Sequence, residues 1–247
     1  LKSSIFCLFD GHGGNDCVDF ISNRFISTLI QQKTYATDIV RAVIQTYAEL
    51  DASFLEIAEK RQLFSGCTSN NVILINTKYE KTIYCVNCGD SRSVLCRNGT
   101  CVELNVCHNT SNPKEMKRVI DAGGQIINGR VMGIMQVTRS LGDIEYKTMK
   151  EYYWKSAFKE DLISSLPDIC KEHRMPNVGL VPAVDGEDEF IITASDGLFD
   201  VIPPQACVNF VRRQLQQDNN LDRCCQGRII EVNKCVELLR RAKRLGS

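Results

Sequence analysis

Between Val72 and Leu104 the apolar spacing of this chain switches from a helical period to a strand period, and that switch most restricts what it can fold into. Val72–Ile75, Thr82–Val86, Ser93–Cys96 and Thr100–Leu104 read as short strands, and Asn98-Gly99 is a strong two-residue hairpin signal. The block reads as an antiparallel meander. Two helical patterns precede it. In the first, Asn15 caps a helix running to about Lys33, with Val18, Ile21, Phe25, Ile26 and Leu29 on one stripe. The second runs from about Thr37 to Lys60 through Ile39, Val43, Ile44, Tyr47, Leu50, Phe54, Leu55 and Ala58. After the meander, Asn112-Pro113-Lys114-Glu115 starts a third helix and Gly123-Gly124 ends it. A strand is expected over Val131–Val137, an irregular stretch over 147–175, and another strand over Phe190–Ser195. Pro203-Pro204 opens a helix to about Gln217, and a last amphipathic helix is expected over 228–244. This order lacks the regular alternation of a parallel α/β sheet. It suits antiparallel sheets packed between helical layers.

The chain has 247 residues, 43% hydrophobic and 24% charged, with a formal net charge of zero. These are ordinary values for a globular chain. A zero balance does not favour nucleic acid or an anionic membrane as partner. No apolar run approaches the roughly 20 residues of a membrane span. The 13 cysteines are odd in number and irregularly spaced, and Cys7, Cys85, Cys207 and Cys235 sit inside apolar runs. Reduced, buried thiols in an intracellular protein, cytoplasmic or nuclear, are therefore expected. Cys85 and Cys88 lie three apart on a strand pattern, so they point to opposite faces and make a poor zinc or redox pair.

The chemistry concentrates where strands end. Ile5-Phe6-Cys7-Leu8-Phe9 reads as a buried strand and runs into Asp10-Gly11-His12-Gly13-Gly14. Taken alone, Asp-Gly is first of all a turn dipeptide. Far down the chain, however, Phe190–Ser195 is a second strand-like run, and it ends in Asp196-Gly197. A carboxylate at the end of a rigid strand can hold a metal ion, and a neighbouring glycine lets backbone or phosphate approach. Two such ends make plausible arms of one metal site.

Further segments fall in order with these: Ser65-Gly66-Cys67-Thr68, Asn87-Cys88-Gly89-Asp90-Ser91-Arg92, Arg130–Gly133 leading to Thr138-Arg139-Ser140-Leu141-Gly142-Asp143, and Ala194–Val201. Together with Asp10–Gly14, and with Ser111–Gly124, they resemble the metal-dependent serine/threonine phosphatases of the protein phosphatase 2C family over nearly the whole chain. The resemblance implies an α+β fold, a four-layer α-β-β-α sandwich with two antiparallel sheets, as a single catalytic domain over 1–247. It implies two Mg²⁺ or Mn²⁺ ions at one edge, with Asp10 bridging both, the Gly11 carbonyl as a ligand, and Asp196 on one metal. Hard oxygen donors suit those ions. A water activated by the metals would attack phosphorus, and His12 would protonate the departing serine or threonine oxygen. Phosphorylated proteins are the implied partners, and a monomer is expected.

Other residues read as structural. Asp143 and Asp200 suit turns and loops, and Arg92 and Arg139 suit buried pairing with a carboxylate. His108 and His173 carry no clear role. The chain also departs from the family. It starts at Leu1-Lys2, after the point where the family carries an acidic pair and a phosphate-binding arginine. It stops at Gly246-Ser247, just before the family's last metal aspartate, and so reads as truncated at both ends. Cys107-His108 stands where the family has Asp-His, and a thiol is a poor Mg²⁺ ligand, which puts a third metal site in doubt. The segment 147–175 is longer than the usual flap beside the site. A catalytically impaired, phosphoprotein-binding scaffold is the alternative to an active hydrolase.

Overall fold

The strand patterns of the sequence are built into two separate sheets, with their apolar residues alternating between the two faces of each. The structure is a computed structural model that describes residues 2–76, 81–170, 181–182 and 188–217. In chain order, β1 (Lys2–His12) is followed by α1 (Asp16–Gln31) and α2 (Ile39–Arg61). Asn15 occupies the cap of α1 without a side-chain bond, whereas Asp38 caps α2 by accepting from the Arg41 N–H at 3.0 Å. Next come β2 (Gly66–Asn76), β3 (Lys81–Cys88), β4 (Arg92–Arg97) and β5 (Thr100–Glu103), then α3 (Pro113–Asp121). The short strands β6 (Ile126–Ile127), β7 (Arg130–Val131) and β8 (Leu141–Gly142) precede a 3₁₀ turn (Ile144–Tyr146) and α4 (Lys150–Trp154). The strands β9 (Asp168–Ile169), β10 (Val181–Pro182) and β11 (Asp188–Ala194) lead to α5 (Asp196–Phe199) and α6 (Pro204–Gln217).

One sheet runs β1-β2-β3-β10, with β8 also against β2 and β9 also against β3; the other runs β11-β4-β5. All pairings within them are antiparallel. The expected single meander is therefore two hairpins in different sheets. The chain leaves β3 through Gly89-Asp90-Ser91 and enters the second sheet, because Gly89 at φ +127 takes a path that a Cβ would block against the Thr68 side chain.

Three apolar cores separate four layers. On β2, Ile73 and Ile75 join Val86 and Cys88 of β3 in a core under α1 and α2, with Phe25, Tyr47 and Phe54. The alternate residues Val72 and Leu74 turn the other way, meeting Ile83, Cys85, Leu95, Val102, Leu104 and Ile191 between the sheets. The far face of the second sheet, Val94, Cys96, Phe190 and Ile192, packs on Leu198, Phe199, Val208, Val211 and Leu215 of α5 and α6. The result is the α-β-β-α sandwich. A strand buried on both faces reads as a continuous apolar run, which explains Val72–Ile75.

Several elements differ from expectation. Val131–Val137 is not a strand; β7 ends at Val131 because Met132 and Gly133 turn at φ 52 and 77. Glu115 does not complete a capping box on α3. Its carboxylate turns inward to Arg139, leaving Asn112 to accept from the Lys114 N–H. Residues 147–170 hold α4 and the buried Leu162 and Ile163, which pack with Val119 of α3; positions 171–175, His173 and the helix expected over 228–244 lie outside the described residues.

Candidate active site

The last three residues of β1 carry the first motif to the end of the larger sheet. Asp10, Gly11 and His12 sit opposite Thr68, Cys67 and Gly66 of β2. α1 then doubles back closely: a Cβ on Gly11 would lie 2.8 Å from Val18 Cγ1. That close packing is why glycine stands there. Gly66 is needed for a different reason, since its Cβ would fall on the Asp143 carboxyl.

Asp143 is the partner of His12. The His12 Nε2–H donates to both carboxylate oxygens at 2.9 Å, with the Asp143 side chain 1% exposed and that of His12 29%. Ser140 Oγ donates to the same carboxylate. Burial alone would pull the His12 pKa down. The Asp143 bond and charge, helped by Asp90 and Asp10, outweigh it and raise the imidazole above its ordinary value. Asp143 thus holds the histidine and sits at φ 55 to do so. It is itself held from below: Ser140 O accepts from Lys147 Nζ at 3.0 Å, and the Gly142 N–H donates to Asp51 at 2.8 Å. Next to it, burial pushes the Glu145 carboxyl up to about 7.

Asp196 opens α5 directly after β11, with Asp200 one turn on. The two strand-end aspartates come together. Burial, then the Asp196 charge, raises Asp10, with His12 opposing. Asp90, at the crossing between the sheets, is driven up to about 6 by burial and by the charge of Asp196, opposed by a hydrogen bond from its own backbone and reinforced by Asp10 and Asp200. Asp10, Asp90, Asp196 and Asp200 thus share one end of the sandwich with His12, near enough for their charges to act on Asp10 and Asp90. Asp90 carried no assigned role in the sequence; its signal was a Gly-Asp at a strand turn, which reads first as turn chemistry.

Among the described residues no three His, Cys, Asp or Glu side chains converge as a ready-made metal cage. The donor chemistry nonetheless fits a hard divalent cation, because carboxylates that repel one another are relieved by positive charge. Mg²⁺ keeps several waters and needs only one or two carboxylates from a protein.

The neighbouring cations are otherwise occupied. Arg139 pairs with Glu115 and Asp168, at 2.6 and 2.8 Å, as its structural reading expected. Arg92 differs: its Nε donates to the Cys107 thiol at 3.1 Å, and that thiol donates to the Asp90 carbonyl at 3.1 Å. Arg92 therefore braces the loop behind Asp90. His108 is buried. Its Nδ1 accepts from the Gly89 N–H at 3.1 Å, and its Nε2 lies 3.2 Å from Asp168, off the line of a good hydrogen bond. It fixes the crossing turn to β9.

The comparisons with known proteins agree with this arrangement. The sequence model described as "Protein phosphatase 2C" matches residues 1–233. Protein phosphatase 2C 1 of Paramecium tetraurelia is 33% identical over 226 residues, covering 87% of this chain and 69% of that protein. Protein phosphatase 2C homolog 2 of Saccharomyces cerevisiae is 30% identical, over 93% of this chain and 46% of its own length. The crystal structure of a serine-threonine phosphatase 2C from Toxoplasma gondii shares the fold, with a TM-score of 0.73 at 18% identity, covering 98% of this chain and 80% of that one. This chain belongs to the protein phosphatase 2C family, the family its ordered motifs resemble. Its class is that of metal-dependent protein phosphatases, which are hydrolases.

Proposed function

We propose that this chain hydrolyses phosphoserine and phosphothreonine in proteins, using two Mg²⁺ or Mn²⁺ ions. The observation that carries the reading is the meeting of Asp10 and Asp196, from strands at opposite ends of the sequence, beside a histidine held by a buried carboxylate. Asp10, the Gly11 carbonyl and Asp196 would hold the cations, with Asp90 and Asp200 adding negative charge around them. When bound, divalent cations supply an activated water and neutralise phosphate charge.

The chain's own residues do the rest. With Nε2 tied to Asp143, His12 keeps Nδ1 as the ring nitrogen that can face substrate. Its raised pKa keeps the imidazole charged further toward neutral pH, so it has a proton to give to a departing alkoxide. The Asp143 carboxylate fixes the ring plane and stabilises the charged form. Gly13 and Gly14 turn the chain at φ 67 and 130 directly after His12, where a Cβ on Gly13 would press on the Phe64 carbonyl. The irregular spacing of 13 cysteines, several inside apolar runs, supports an intracellular setting, cytoplasmic or nuclear.

The test is turnover of a phosphothreonine peptide by the full-length protein with and without Mn²⁺, alongside Mn²⁺ titration calorimetry of Asp10→Ala and Asp196→Ala. Mn²⁺-dependent release of phosphate, abolished by chelator, and weakened metal binding in both variants are expected. Phosphopeptide binding without turnover would instead favour the scaffold reading, and unchanged metal affinity in both variants would remove Asp10 and Asp196 from the site.

A further inference from the structure

Three exposed aromatic rings touch one another in a row, the first of them two residues before the strand partner of His12. Phe64, Tyr153 and Tyr152 are 37%, 41% and 67% exposed. Phe64 and Tyr153 meet edge to face with centroids 5.3 Å apart, and Tyr153 and Tyr152 do the same at 5.9 Å. The Lys155 ammonium lies 4.3 Å from the Tyr152 ring centroid, at the outer end of the row.

The inner end of the row is continuous with the catalytic end of β1. Phe64 precedes Ser65 and Gly66, and Gly66 pairs with His12. A Cβ placed on Gly13 would lie 3.3 Å from the Phe64 carbonyl oxygen. The outer end is carried by α4, which is pinned to the same wall. Trp154 Nε1 donates to the Glu145 carbonyl at 2.8 Å, two residues past Asp143, and the Trp154 ring packs on Tyr146 at 5.4 Å. α4 therefore turns its half-buried tryptophan to the wall and leaves both tyrosines outward. An isolated exposed aromatic needs no explanation, but rings in mutual contact are a poor way to face water.

We propose that Phe64, Tyr153 and Tyr152 form a specificity surface that takes an aromatic or large aliphatic side chain of the phosphoprotein substrate, a few residues from its phosphorylated residue. This rests on the hydrolase reading of the adjoining site. An extended peptide advances about 3.3–3.6 Å per residue, so a chain leaving the site over this row meets the rings roughly two to five residues from the phosphate. Aromatic rings pair best offset or edge-on, the arrangement the row already shows. The ammonium of Lys155 disfavours a basic residue at the outer end. The occupant is a substrate segment: Phe64, the first ring, lies two residues before Gly66, which pairs with His12, and its backbone abuts Gly13, so the row adjoins the site.

The probes are pairs of fluorescein-labelled peptides with a non-hydrolysable phosphonate in place of the phosphorylated residue. Members of a pair differ only in Phe or Ala at one position, two to five residues to either side. Their affinities for the full-length protein with Mn²⁺ are read by anisotropy, and turnover of the matching phosphopeptides is measured in parallel. The expected result is a preference for Phe of about tenfold at one or more positions on one side. In Tyr152→Ser/Tyr153→Ser that ratio should fall below about twofold, while Tyr152→Phe/Tyr153→Phe, which keeps the rings, should retain it. A ratio near one at every position in the unaltered protein overturns the proposal, as does an unchanged ratio in the serine variant. Turnover without Phe dependence overturns the docking surface and leaves the hydrolase reading standing. Phe-dependent phosphonate binding without turnover does the reverse.

Discussion

Replacing Lys147 with methionine should cost about 3–5 kcal/mol of stability, the usual penalty for breaking a buried ion pair and leaving one charge alone. The Lys147 side chain is 1% exposed and that of Asp51 is 7%. Lys147 Nζ donates to both Asp51 oxygens at 2.8 Å and to the Ser140 carbonyl at 3.0 Å. Burial alone would lower its pKa, yet the Asp51 charge and hydrogen bond outweigh burial and hold it above the ordinary lysine value. Methionine fills the same space without a charge, so the loss comes from the stranded carboxylate rather than from a cavity. For a chain of this size each kcal/mol is worth about 2–4 °C of melting temperature, so Tm should fall by roughly 6–20 °C. The double variant Asp51→Leu/Lys147→Met removes both charges and should recover part of that loss. The Gly142 N–H then lacks its acceptor, which retains a cost of about 1–3 kcal/mol. Urea unfolding of the two single variants and the double closes a mutant cycle. A cost below about 1 kcal/mol for Lys147→Met, or a double variant no more stable than either single one, would refute the reasoning.

His12→Ala should slow a phosphothreonine peptide by about 10²–10⁴-fold in kcat, and nitrophenyl phosphate far less, because only the alkoxide needs a proton as it leaves. Equal losses on the two substrates would mean that His12 positions Asp10 instead. Asp168 predicts acid sensitivity. The His108 contact, opposed by burial and reinforced by Arg139, brings its carboxyl down to about 2. A carboxylate depressed on folding stabilises the fold above its unfolded value near ~3.9 and loses that contribution as pH falls through the folded value. Urea midpoints at pH 5 and pH 3 should therefore diverge less in Asp168→Asn than in the unaltered protein, and an equal divergence would contradict the assignment.

What the sequence showed of this molecule depended on how local each signal was. Asn112-Pro113, the α2 stripe and Pro203-Pro204 specify their helices within a few residues, and the helices formed there. The strands from Val72 to Glu103 were also visible, but not their division between sheets. A strand buried on both faces looks the same wherever it lies, and the deciding feature is the left-handed path at Gly89. Asp10 and Asp196 were legible as a pair because each ends a strand. Asp143 as the partner of His12 was not, since Gly-Asp reads as a turn and the contact spans 131 residues. Asn70 was also silent. Its amide bonds Asn87, the Ser91 carbonyl and Asn105 at 3.0–3.1 Å, a buried polar seam where strand patterning predicts only apolar packing.

The crossing from β3 to β4 bears on how this protein is born. The first sheet takes β1, β2 and β3 from the first third of the chain, with α1 and α2 already at hand to cover it. The second sheet needs β11 beside β4, with Ala194 opposite Arg92. A nascent chain therefore exposes one side of β4 until β11 has left the ribosome. Loop closure over that separation is slow compared with local helix and hairpin formation. An unpaired strand edge waiting in this way is an aggregation hazard during synthesis. Asp196 arrives with the strand that ends the wait, so the site is completed only when the exposed edge is closed.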